Sequence, residues 1–149
     1  MYFYVMNHFP VKLKLRIDWS EMDLFGHVNN VAYFKYIQAS RVNYWDVSGL
    51  DAMFKETRIG PILLSTSCEF IKPLHYPGNM LMETGIEFIK NTSFGMHHRI
   101  LNEQNEVAAE AHDVIVTYDF NKNEKVLVSD GFRKAVEELE GRKFTSVTG

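Results

Sequence analysis

The segment Asn30-Val31-Ala32-Tyr33-Phe34-Lys35-Tyr36-Ile37-Gln38-Ala39-Ser40-Arg41-Val42-Asn43-Tyr44-Trp45-Asp46-Val47 has no glycine or proline and is dense in apolar and aromatic side chains. It reads as a helix of about five turns, stopped by Gly49. At 100° per residue its apolar positions spread around most of the circumference, and Lys35, Gln38, Arg41, Asn43 and Asp46 gather into no opposite polar face. The expectation is a helix buried nearly all round.

The flanking sequence supplies what could bury it. Before the helix, Val11, Leu13, Leu15 and Ile17 alternate with Lys12, Lys14, Arg16 and Asp18, the pattern of a strand with one wet face. After it, residues 50–60 read as a short connection or an extra helical turn. Residues 61–72, 79–90, 93–102 and 107–120 are then strand-like, broken by Pro73, Pro77-Gly78, Asn91-Thr92 and the polar run 102–106. Residues 131–140 read as a last helix, and the tail from Lys143 to Gly149 as frayed. One strand, a long apolar helix and four further strands predict an α+β domain in which an antiparallel sheet curls around the helix. No repeat or low-complexity stretch suggests a second unit, so residues 1–149 are expected to form one domain. The long strand over 107–120 offers an edge or face that another copy could cover.

Composition narrows the class. With 46% hydrophobic residues and 13% aromatics the chain can build a core without disulfides or metals. Its 16 basic against 19 acidic side chains, a formal charge of −3, give no electrostatic case for nucleic acid or an anionic membrane. Met1 to Met6 lack a basic n-region, and no run approaches the ~20 apolar residues of a membrane span, so a soluble, cytoplasmic protein is expected. The single cysteine, Cys68, sits among β-favouring neighbours and reads as a buried strand residue rather than a nucleophile.

Chemistry concentrates just before the long helix, in Trp19-Ser20-Glu21-Met22-Asp23-Leu24-Phe25-Gly26-His27-Val28-Asn29-Asn30. Asp23 can act as a nucleophile or as a base for water. Gly26 permits a turn or a close ligand approach, and the helix start at Asn29 and Asn30 offers free N–H groups at the positive end of the dipole. The same residues would also serve simply to shape a loop and cap a helix. His27 has no Gly-x-Ser-x-Gly elbow to work with; Glu21, Asp23 and His27 are of types that ligate zinc or iron, but the chain has no His-x-x-x-His helix or Cys-x-x-Cys pair. His97 and His98 are adjacent in a strand, so they point to opposite faces and cannot easily clamp one ion. Neither metal nor cofactor is expected.

This run, with Tyr33 three residues beyond it, resembles the signature of the 4-hydroxybenzoyl-CoA thioesterase family of hotdog-fold enzymes; the likeness extends over roughly residues 11–120. It implies a hotdog fold, a five-stranded antiparallel sheet wrapped around a long central helix with a C-terminal helix added, and an acyl-CoA thioesterase. By motif position Asp23 is the catalytic carboxylate, by an anhydride or a general-base route, and the N–H of Asn30 polarises the thioester carbonyl. Glu21 takes no catalytic role. Gly26, His27, Asn29 and Tyr33 fall on the substrate side, and Lys90, Asn91, Thr92 and Ser93 match a turn that meets the CoA moiety in relatives. Such subunits pair edge to edge with active sites at the interface, which implies a homodimer or homotetramer. An acyl carrier protein as thioester donor, a non-catalytic acyl-CoA sensor and a hydratase are the competing readings.

Overall fold

The computed structural model describes residues 9–145. Residues 1–8 and 146–149, with the readings made above for the N-terminal run and most of the tail, lie outside the described part. The elements in chain order are β1 (Val11–Arg16), a 3-10 turn (Trp19–Glu21), α1 (Asn30–Ser48), α2 (Leu50–Thr57), β2 (Ile59–Phe70), β3 (Asn79–Ile89), β4 (Ser93–Leu101), β5 (Val107–Asp119), β6 (Glu124–Lys125) and α3 (Asp130–Glu140). The strands form one antiparallel sheet in the order β1-β3-β4-β5-β2, with the short β6 on the end of β5. The sheet curls around α1, which is the expected α+β hotdog arrangement.

Gly49 ends α1 and starts α2 in the left-handed conformation, at φ 79°, where a side chain would be strained. Residues 50–57 are therefore a separate two-turn helix rather than a connection. Two expectations are corrected. α1 is not buried all round: Ala32, Tyr33, Tyr36, Ile37, Ser40, Tyr44 and Trp45 form one buried stripe, while Val31, Phe34, Val42 and Val47 face solvent. A sheet of five strands covers only one side of a helix, so the outer apolar positions find no cover among the described residues. β5 offers no free edge either, because β4 and β2 flank it; among the described residues the outer strands of the sheet are β1 and β2. β2 is long and exposes Leu63, Leu64 and Phe70, features that favour pairing with another strand.

The interior has two apolar clusters and a polar row between them. Toward the N-terminal end of α1, Ile17, Val28, Tyr33, Ile37, Met80, Met82 and Ile100 pack together. Toward its C-terminal end Tyr44, Trp45, Ile86, Phe94, Ile115 and Phe132 do the same. On α1, β3, β4 and β5 respectively, Ser40, Thr84, His98 and Asp113 occupy the inward position between the two clusters, all nearly inaccessible to solvent. Burying such groups is costly unless they are bonded, and these are. The Thr84 hydroxyl is 2.9 Å from His98 Nδ1 and also meets Ser40. His98 Nε2 lies 2.7 Å from Asp113, Arg41 Nε donates to the same carboxylate at 3.0 Å, and Thr66 donates to it at 2.7 Å. Burial pushes the Asp113 carboxyl up, but the bonds from His98 and Arg41 outweigh it and hold the group down at about 2. Burial holds the His98 imidazole below its ordinary value, so the ring is neutral and donates through Nε2–H. Arg41 thus pairs across the interior with an acid on β5.

Candidate active site

The corner between β1 and α1 is built by backbone bonds that the sequence pattern foreshadows. Asp18 caps the 3-10 turn by accepting from Ser20 N–H, while Glu21 Oε1 accepts from Asp18 N–H at 2.9 Å, a reciprocal capping box. Glu21 is buried and goes further. Its carboxylate accepts from the Tyr36 hydroxyl at 2.6 Å and lies 2.6 Å from Lys35 Nζ, and its carbonyl accepts from Asn29 N–H and Asn29 Nδ2–H, both at 2.9 Å. Burial pushes this carboxyl up, but the Lys35, Tyr36 and Asp18 bonds outweigh it and hold it below its usual value. Glu21 thus ties the corner to the first turns of α1 and leaves the neighbouring acid exposed to solvent.

That acid is Asp23. Its Oδ1 accepts from Phe25 N–H at 2.8 Å and His27 N–H at 3.1 Å, and its own N–H donates to the His27 carbonyl at 2.7 Å. The loop is thereby closed on the carboxylate, with Gly26 at φ 84° making the reversal. The amide of His27, foremost, and that of Phe25 hold the Asp23 carboxyl below its usual value despite slight desolvation, so it is ionised at neutral pH. Among the described residues Oδ2 has no hydrogen-bond partner. Asn29 caps α1 by accepting from Ala32 N–H at 3.0 Å. Among the described residues the N–H groups of Asn30 and Val31 take part in none of the loop and cap bonds and are left as free donors at the positive end of the helix. Around them Leu24 is 99% and Phe25 86% exposed.

The remaining candidates divide. His27 and Asn29 join the corner, and the His27 ring meets His75 edge to face, centroids 4.9 Å apart. His75, which sequence reading passed over, reaches the corner because Val28 N–H donates to the Leu74 carbonyl at 2.9 Å and brings the β2–β3 connection alongside. There Leu74, His75, Gly78 and Glu106 help line a groove of about 390 Å³. Tyr33 points into the core, 3% exposed, with its ring edge to face on Phe70 at 5.0 Å. Lys90 to Ser93 form the β3–β4 turn at the far end of β3 from the corner, roughly 30 Å away at strand rise. There the Asn91 carbonyl accepts from Val128 N–H, that of Thr92 accepts from Thr117 N–H, and Lys90 lies over Phe88. Within one chain this turn and Asp23 do not meet. Cys68 is half-buried on β2, and burial pushes its thiol up to about 11, leaving it protonated and a poor nucleophile.

A fold and a corner of this kind define a class. Residues 17–136 match the model of the thioesterase-like superfamily, and the chain belongs to it. The protein YsmA of Bacillus subtilis is 24% identical over 85 residues, 57% of this chain and 56% of that protein, so the match spans little more than half of that relative. Among solved structures, a Thermus thermophilus thioesterase complexed with coenzyme A and Zn superposes at a TM-score of 0.81 with 20% identity, over 93% of this chain and 100% of that one. A gentisyl-coenzyme A thioesterase superposes at 0.75, also with 20% identity, over 85% and 99%. These likenesses show the hotdog fold. Among the described residues, no helix is long and apolar enough to cross a membrane.

Proposed function

We propose that residues 1–149 form one hotdog domain that hydrolyses an acyl-CoA thioester to a free carboxylic acid and CoA. The observation that carries this reading is the pairing, within one short loop, of an ionised Asp23 carboxylate whose Oδ2 is free with the free N–H of Asn30 at the start of α1. The carboxylate attacks the thioester carbon or takes a proton from the attacking water, and the Asn30 amide donates to the oxyanion that develops. The two similar thioesterases, one complexed with coenzyme A and one a gentisyl-coenzyme A thioesterase, support the choice of carrier. Gly26, His27 and Asn29 hold the loop against the substrate. Lys90 to Ser93 serve a CoA bound at Asp23 only from a second copy of the chain. The open β2 edge and the exposed Leu24 and Phe25 support a homodimer as the working unit.

The test is free-thiol release from short, long and aromatic acyl-CoAs by wild type and Asp23→Asn. The asparagine keeps Oδ1 as an acceptor for Phe25 and His27, so the loop survives the change. Turnover that falls by ~100-fold or more in the variant supports the assignment. Tight acyl-CoA binding without turnover on any thioester would overturn the enzyme reading, and equal turnover in both proteins would remove Asp23 from the mechanism.

A further inference from the structure

On the opposite side of the sheet from α1, away from the corner, we infer a binding site for one divalent transition-metal ion, best suited to Zn²⁺, formed by Glu87, His97 and His112. One ligand atom from each of these residues lies within 4.8 Å of the others. Three neighbouring strands bring them together. His98 points inward, so its neighbour His97 points outward, as alternation requires. His97 stands directly opposite His112 on β5, and the two rings stack with centroids 4.3 Å apart and planes 18° from parallel. On the other side His97 faces Gly85 on β3, which contributes no side chain. The β3 register shifts between Ile86 and Phe88, making Glu87 the extra residue of a bulge. That bulge brings both Glu87 and Phe88 outward: Glu87 Oε1 reaches His112 Nδ1 at 3.0 Å, and the Phe88 ring fills the space over Gly95.

The donor set and local charge fit a cation. Imidazole and carboxylate are ordinary zinc ligands, and two histidines with one glutamate leave a fourth position for water. Glu110 accepts at 2.8 Å from His97 Nε2, the kind of outer carboxylate that fixes the ring of a metal-bound histidine and leaves Nδ1 for the ion. Among the described residues neither Glu87 nor Glu110 pairs with a lysine or arginine. The nearby Arg99 is committed to Glu83 at 2.7 Å and lies over the ring of Phe9, which also packs edge to face on His97. The cluster thus holds two carboxylates with no fixed counter-charge. The ion replaces the His112 Nδ1–Glu87 hydrogen bond and takes both atoms as ligands. An ion held there ties β3, β4 and β5 together, and its binding is independent of chemistry at Asp23.

The experiment is a Zn²⁺ titration of the chelator-stripped full chain by calorimetry and by competition with a chromophoric chelator. The expected result is one Zn²⁺ per chain and a Tm that rises with zinc. His97→Ala, His112→Ala and Glu87→Gln should each weaken binding by at least ~10-fold, the loss seen even when an outer partner of a metal ligand is removed. His75→Ala, a histidine outside the cluster, should bind as wild type does. Circular dichroism of the stripped variants checks their folding, and the exposed, near-isosteric Glu87→Gln decides the matter if either histidine variant is misfolded. Absence of zinc binding by wild type, or equal binding by Glu87→Gln, would overturn the proposal.

Discussion

At the C-terminal end of α1, Tyr44 and Trp45 are buried among Phe54, Phe94 and Phe132 beneath α2 and α3, and the Tyr44 hydroxyl donates to the half-buried Glu140 carboxylate at 2.6 Å. At the N-terminal end, Leu24, Phe25 and Val31 stand in solvent beside a free carboxylate oxygen and two free amides. The same helix therefore has one end closed by its own chain and one left open. The closed end holds the fold together, because fully buried large side chains each contribute roughly 1.5–3 kcal/mol. The open end, lightly packed, can leave polar groups unpaired without weakening the core. The polar row of Ser40, Thr84, His98 and Asp113 marks the boundary between the two.

The contrast breaks if substitutions at the two ends have the same consequences. The largest effect is expected at the closed end: Phe94→Ala should destabilise the protein by ~3–5 kcal/mol, read from urea unfolding. Next comes Asp23→Asn at the open end, with turnover down ~100-fold or more, equivalent to about 2.7 kcal/mol of activation free energy, and an unchanged urea midpoint. A substantial loss of stability in that variant would show that the corner is structural.

The boundary row responds to acid. The folded Asp113 carboxyl, at about 2 against an ordinary 3.8, contributes stability that is present above pH ~4 and lost as pH falls toward 2, on the order of 2 kcal/mol. His98 acts in the same direction at higher pH: its lowered folded value means the unfolded state takes up the proton first, so stability begins to fall below its ordinary value of 6.5. Urea midpoints measured from pH 7 to 3 should therefore decline in two stages, and a flat profile would refute this ionisation pattern. The smallest effect on stability is expected from Leu24→Ser, within ~0.5 kcal/mol because the side chain is fully exposed. Any loss of activity or of self-association in that variant would locate the surface that closes the open end.

The corner was legible in sequence because it is local. Asp23, Gly26, Asn29 and Asn30 lie within eight residues, and their roles as turn, cap and free amide follow from backbone rules over that span. The central helix, its Gly49 stop and the strand order in the chain were legible for the same reason, since periodicity is a property of neighbours in sequence. What periodicity misjudged was cover: apolar positions around α1 implied burial, but a five-strand sheet reaches only one side, so Val31, Phe34, Val42 and Val47 remain outside.

Pairings between strands were decided by the tertiary structure alone. Sequence set His97 beside His98 and rightly sent them to opposite faces, but it gave no register that would bring His112 against His97 or Asp113 against His98. Nor could it show that Glu87 sits in a bulge, or that Lys90 to Ser93 turn at the far end of the sheet from Asp23. The chain by itself thus determined the elements, the turn and cap of the loop before α1, and the family. Which distant side chains meet, and which apolar surfaces stay open, depends on strand register and sheet curvature, and both arise only when all the strands pack against one helix.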